Sequence, residues 1–179
     1  MAQQTYTVDA SESTVRWTGK KIFGQHYGKV PIKEGSFSLE DGRLKSGSFT
    51  LNVRDLTNED LEGSRKQDLL EWLKSKEMFY TGKYPEAFFE IVSATAEANG
   101  QTYQVEGKLT IKGTTHSISF PVQISGSKEE VRVQAKLSFD RTRWDLKYGE
   151  GGIIGDMGNT AIKNEVEVEV DLVAESADL

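Results

Sequence analysis

The sequence predicts a mainly β chain: one antiparallel barrel or sandwich covered by one amphipathic helix. Three observations carry this. Runs of alternating apolar and polar residues recur along the chain, separated by short turn signals. Only one stretch has helical periodicity, Ser64 to Pro85, SRKQDLLEWLKSKEMFYTGKYP. No repeat, linker or low-complexity region divides residues 1–179, so a single domain is expected.

The first strand is Thr5-Tyr6-Thr7-Val8-Asp9. In the next run Val15, Trp17 and Gly19 share one side and Arg16 and Thr18 the other. Lys20 to Val30 reads as irregular, with Ile22, Phe23 and Tyr27 as anchors; it is either a solvent loop or part of a cavity rim. Phe37 and Leu39 lead to Asp41-Gly42, a pair suited to a type I′ hairpin. Phe49, Leu51 and Val53 then alternate with Ser48, Thr50 and Asn52, and Asp55 to Gly63 is an acidic link into the helix.

In the helix, Leu69, Leu70, Trp72 and Leu73 are spaced three and four apart and gather on one face. Ser64 and Gln67 have the form of a capping box, and Lys74 and Lys76 lie where the helix dipole favours cations. Met78, Phe79 and Tyr80 follow. Such a face must be buried, and a sheet is the only partner large enough.

Beyond the helix, Phe89 and Ile91 share a face, and Asn99-Gly100 is the strongest hairpin signal. The return strand puts Tyr103, Val105, Gly107, Leu109 and Ile111 on one side; Lys112-Gly113 turns it. Ile118, Phe120, Val122 and Ile124 line the next strand, where Pro121 fits an edge or bulge better than a central ladder position. Val131, Val133, Ala135, Leu137 and Phe139 alternate after it. A glycine-rich segment, Gly149 to Gly158, holds Ile153, Ile154 and Met157. The last strand turns Val166, Val168, Val170 and Leu172 inward and Glu165, Glu167, Glu169 and Asp171 outward, a solvated wall. Some eight to ten strands result, by about one per alternating run.

Composition narrows the function. The net charge of −6 and pI near 5.1 argue against a nucleic-acid partner, and no segment is apolar for long enough to span a bilayer as a helix. With no cysteine, disulfides, thiolate metal sites and cysteine nucleophiles are excluded. His26 and His116 have no metal-ligand partner at a telling spacing and read as structural or solvent residues. No nucleophile elbow or phosphate loop occurs; catalytic residues and a metal site are not expected. The N-terminus lacks a signal-peptide pattern, which implies a cytoplasmic chain if complete and a periplasmic or secreted one if a leader was removed.

The inward set, Trp17, Phe37, Phe49, Phe89, Leu109, Phe120 and Phe139, suits a packed core or a cavity wall. An eight-stranded barrel is wide enough for either.

Several motifs in order resemble the YceI-like proteins, the lipocalin-like polyisoprenoid-binding family. They are Tyr6-Thr7-Val8-Asp9 with Ser13-Thr14-Val15, Gly35-Ser36-Phe37, Asp68-Leu69-Leu70 with Leu73-Lys74-Ser75, then Phe79 and Tyr84-Pro85. Gly107 to Gly113 and Arg143-Trp144-Asp145-Leu146-Lys147-Tyr148-Gly149 continue the match over nearly the whole chain. Two positions depart: the usual histidine-serine is Glu12-Ser13, and the usual arginine-aspartate is Lys66-Gln67-Asp68, with Arg65 slightly earlier.

The resemblance implies a lipocalin-like barrel that needs no cofactor. Its ligand would be a long amphiphilic lipid, namely a polyisoprenoid, an isoprenoid quinone or a fatty-acid derivative, bound for carriage, storage or sensing. Family members are often dimeric, so a homodimer is an expected partner. The apolar tunnel is then expected from Trp17, Phe37, Phe49, Phe89, Leu109, Ile111, Phe120 and Phe139. Leu70, Leu73 and Phe79 would close it from the helix side, with Arg143 or Tyr148 meeting the head group. The competing readings are a cavity-free β-sandwich for protein interaction and a carboxylate-dependent enzyme acting on lipid or sugar head groups.

Overall fold

Alternation does most of the folding work. In a computed structural model, which describes residues 3–21, 24–146 and 162–177, ten strands form one antiparallel sheet. They are β1 (Gln3–Val8), β2 (Thr14–Lys21), β3 (Gln25–Lys29), β4 (Ile32–Glu40), β5 (Arg43–Asn52), β6 (Glu86–Ala96), β7 (Thr102–Ile111), β8 (Thr114–Gly126), β9 (Glu130–Asp140) and β10 (Ile162–Ser176). Among the described residues the one α-helix, α1, spans Gly63–Lys74.

Eight of the strands close a barrel in the order β1-β4-β5-β6-β7-β8-β9-β10, with β1 pairing back onto β10. Tyr6 opposes Phe37 on β4 and Ser176 on β10, so the first strand stitches the last to the fourth. A 3₁₀ turn at Ala10–Glu12, capped by the Asp9 side chain, then ends β1 and starts β2. β2 continues along the same β10, from Asp171↔Thr14 to Ile162↔Lys21, and carries β3 on its far side. At that end the barrel is therefore not sealed by β4.

The hairpin chemistry is as expected at Asp41-Gly42, where φ is 52° and 79° and both central residues are left-handed. At Asn99-Gly100 the hairpin forms but the loop is wider. The Glu97 N–H donates to Thr102 O, and the Asn99 side chain accepts from the Gln101 and Thr102 amides. Pro121 marks a real edge: β8 pairs with β9 only from Val122 onward, so the two strands part there toward the helix end.

Two expectations need correction. Lys20 to Val30 is not an irregular loop; it holds β3, paired with β2 from Lys20↔Gln25 to Arg16↔Lys29. Ile22 and Phe23 lie outside the described residues, as does Gly149 to Gly158. The capping box at Ser64 does not form. Gly63, at φ 62°, turns the chain into the helix early, Glu62 is the N-cap without a side-chain bond, and Ser64 falls inside the first turn.

The acidic face of β10 is the expected outer wall. It is crossed by cations on its neighbours: Lys20–Glu167 at 3.0 Å, Lys136–Glu169 at 3.1 Å and Arg132–Asp171 at 2.6 Å.

Candidate functional site

Inside the barrel is a cavity with about 240 Å³ of space open to the centre of a water molecule. One water needs only ~10–15 Å³ by that measure, so this is room for a ligand. The walls come from alternation. Val15, Trp17 and Gly19 of β2 line it, with Phe49 and Leu51 of β5, Phe89 and Ile91 of β6, Leu109 and Ile111 of β7, and Ile118, Phe120 and Val122 of β8. Val133 to Phe139 of β9 and Val166 to Leu172 of β10 contribute their inward residues. Trp17, Phe49, Phe89, Phe120 and Val168 point inward yet are only half-buried, which is how a wall facing empty space differs from a packed core. Phe89 sits between Phe49 and Phe120, its ring centroid 6.4 and 5.4 Å from theirs. Gly107 gives that ring its place, since a Cβ there would meet Phe89 at 2.3 Å.

The far end is packed shut. Tyr6 stacks on Phe37 at 5.4 Å, and its hydroxyl donates to Gln4 Oε1 and Lys128 O. Tyr103 reaches the Gly42 carbonyl in the same way at 3.3 Å, and Val8, Leu39, Val131 and Ala174 fill the space between.

The helix end is built differently. Leu69, Trp72 and Leu73 of α1 line the cavity, with Met78 and Phe79 from the turns beyond. The covering role expected of the helix is therefore observed, with one shift of face. Leu70 packs against the surrounding cluster but does not line the cavity. Where β8 and β9 part, a 3₁₀ turn at Arg141–Trp144 folds back and inserts Trp144, which is fully buried. Its indole N–H donates to Leu109 O at 2.9 Å, its ring meets Phe139 and His116 edge-on, and His116 Nε2 bonds Arg143 O at 2.8 Å.

On the other side, β3 is sealed by residues 57–59. The Thr57 amide donates to Lys29 O and the Glu59 amide to Tyr27 O, at 2.8 and 2.9 Å. The Trp17 indole N–H also donates to Thr57 O. Gly28 is required at this seam, because a Cβ would lie 1.8 Å from Thr57 O. Behind it Asn58, 1% exposed, gathers the Tyr27 carbonyl, the Leu61 amide and the Asp60 carboxylate.

Asp60 binds His26 Nδ1 at 2.7 Å and accepts the Tyr27 amide at 2.9 Å. Burial pushes the Asp60 carboxyl up, but the hydrogen bonds from His26, Tyr27 and Asn58 outweigh it and hold it below the ordinary 3.8. The ionised carboxylate only accepts, so His26 Nδ1 carries the proton. His26 lines the cavity. It has a carboxylate partner that sequence spacing did not reveal, a contact of the structural kind expected.

The expected head-group residues also move. Arg143 is exposed, lies over the Trp144 ring at 5.2 Å and does not line the cavity. Tyr148 lies outside the described residues. The inward arginine is Arg141, 5% exposed, with Nε donating to Lys163 O at 3.2 Å and a terminal nitrogen to Leu146 O at 2.6 Å. A signal for it existed: β9's alternation, carried two residues past Phe139, lands on Arg141.

Comparisons with known proteins agree with this architecture. The YceI-like domain family matches residues 6–174. A UPF0312 protein of Yersinia enterocolitica is 25% identical over 145 residues, 81% of this chain and 72% of its own. One of Photorhabdus laumondii is 22% identical over 149 residues, 83% and 74% of the two chains. Among solved structures, BcnA of Burkholderia cenocepacia superposes with a TM-score of 0.71 at 23% identity, covering 93% of this chain and 98% of that one. A polyisoprenoid binding domain from Saccharophagus degradans, described as implicated in plant cell wall breakdown, gives 0.69 at 17% identity, covering 96% and 98%. At these identities the structures speak for the fold.

Proposed function

The chain belongs to the YceI-like family, and from that premise we propose that it binds a long amphiphilic lipid in the barrel interior without turning it over. The ligand classes are a polyisoprenoid, an isoprenoid quinone or a fatty-acid derivative, held for carriage, storage or sensing. The observation that supports this most is the half-buried aromatic and aliphatic wall around an open interior. The cavity-free sandwich has no place for that interior, and the description of the Saccharophagus neighbour as a polyisoprenoid binding domain points the same way.

The energetics fit. Each buried methylene contributes about 0.8 kcal/mol, so a twelve-carbon tail gains roughly 10 kcal/mol before the cost of association. Few polar contacts are then needed for useful affinity. The wall is apolar apart from the side chains of His26, Arg141 and Lys163, a surface that solvates a tail.

Organic extraction of the purified protein followed by mass spectrometry tests the reading. A stoichiometric amphiphile is the expected result. A ligand-free protein that also takes up no lipid when offered it would sink the proposal. Phe120→Asp, in the middle of the wall, should abolish uptake in a folded variant.

A further inference from the structure

Between β8 and β9 the barrel wall continues as a seam without ladder pairing. The two strands pair from Gly126↔Val131 to Val122↔Ala135 and no further, although β8 begins back at Thr114 and β9 runs on to Asp140. At an unchanged register Phe120 would face Leu137, and Ile118 would face Phe139. All four of these side chains line the cavity. At about 3.4 Å per residue, Ser117 to Pro121 gives the seam a length of about 13 Å.

Both ends of the seam are fixed. At one end stands the Val122↔Ala135 pair, next to Pro121, which has no N–H to give a ladder. At the other, the Trp144 indole N–H donates to Leu109 O at 2.9 Å and His116 Nε2 bonds Arg143 O at 2.8 Å. Between them Ile118, Phe120 and Leu137 are only half-buried on the inner side. The outward residues Ser117, Ser119 and Pro121 on β8, and Lys136 and Ser138 on β9, are all exposed, so the outer side of the seam meets solvent.

This stretch of wall therefore differs from a paired one in what it takes to open it. Parting a ladder breaks main-chain hydrogen bonds, whereas parting the seam separates side-chain contacts that a hydrocarbon tail can replace.

We propose that the seam is a lateral gate through which the apolar tail enters and leaves the cavity. The tail passes between Ile118 and Phe120 on one lip and Leu137 and Phe139 on the other, and α1 stays in place. This rests on the lipid-binding reading above and adds the route to it.

The chain has no cysteine, so an introduced pair is the only one present. Ser119→Cys with Ser138→Cys places a thiol on each lip, and oxidation staples the seam. Gln123→Cys with Gln134→Cys staples the same two strands at a pair already in register, both residues being exposed. The probe is ω-bromododecanoate, whose bromine quenches Trp17 and Trp72 as the cavity fills. Stopped-flow quenching of delipidated protein gives the rates, and titration gives the affinity. The seam staple should slow uptake and release at least tenfold, leave affinity within about twofold, and be reversed by dithiothreitol. The control staple should change neither rate. If the seam disulfide does not close, Ser119→Cys alkylated with a bulky maleimide should slow uptake and decides alone.

An unchanged rate behind the closed seam overturns the gate and leaves lipid binding standing. Equal slowing by both staples overturns it too, since general stiffening then explains the effect. Affinity lost together with rate makes the seam part of the binding wall and overturns it as a route. No quenching in the reduced, unstapled protein overturns lipid binding itself.

Discussion

Where β1 lies between β4 and β10, main-chain pairing runs continuously around the barrel and two tyrosines pack across it. At the helix end the pairing lapses twice, between β8 and β9 and beside β3. Side chains and loops substitute there: Trp144 in the first gap, residues 57–59 at the second, and α1 over the middle. The difference teaches where this barrel can change. Ladder hydrogen bonds commit the far end to one structure, whereas the helix end is held by individual contacts that can be removed one at a time.

Trp144→Ala should expose that contrast most strongly. Removing a fully buried indole and its bond to Leu109 costs about 3–5 kcal/mol for a large-to-small core change. Urea denaturation measures it; a loss under about 1 kcal/mol would mean that the gap between β8 and β9 is not held by this residue.

Asp60→Asn comes next. It weakens the ionic hydrogen bonds to His26 and the Tyr27 amide, worth roughly 1.5–3 kcal/mol for charged partners. Hydrogen exchange should speed at Tyr27 and Glu59 while β1 stays protected, and equal loosening at both ends would contradict the contrast. The same latch has a sign in pH. The folded carboxyl is held below 3.8, so its stabilisation is present above that value and fades as pH falls through the lower folded one. Above about pH 5 this group should leave stability flat.

At the sealed end Tyr6→Phe keeps the ring stack and removes one hydroxyl, costing about 1 kcal/mol. Lipid uptake should not change; a large loss would show that the far end shapes the ligand site. The smallest effect belongs to the outer wall. Arg132→Gln breaks the bidentate pair with Asp171, an exposed contact worth about 0.2–1 kcal/mol, and high salt should erase the difference from wild type.

Much of the wall was legible in the sequence because strand parity decides sides. Once Val15, Phe89, Leu109, Phe120 and Phe139 were in phase with their neighbours, their inward aim followed. The same logic fails where the backbone leaves strand geometry. β10 has an irregular register between Ile162 and Val166, which puts Lys163 out of phase with the valines after it, yet it still lines the cavity. Arg143 was expected from the family motif; β9's alternation carries on to Arg141, and the 3₁₀ turn that follows Asp140 takes Arg143 outward. β3 was hidden for another reason. Its mixed polar and glycine residues have no apolar phase of their own, and its outer edge is completed by Thr57 and Glu59, which follow only after β4 and β5. The helix starts where expected but ends at Lys74, so Lys76 and the rest of the stretch to Pro85 lie beyond it, and it turns Leu69, Trp72 and Leu73 to the cavity but not Leu70.

The pairing of Tyr6 with Ser176 has a consequence in time. During synthesis the N-terminal strand emerges first and waits for nearly all the rest of the chain before its second edge is satisfied. Such distant pairings make for slow folding, on the order of milliseconds to seconds. Closure of the barrel needs β10 against both β9 and β1, so it is the last pairing that synthesis makes available.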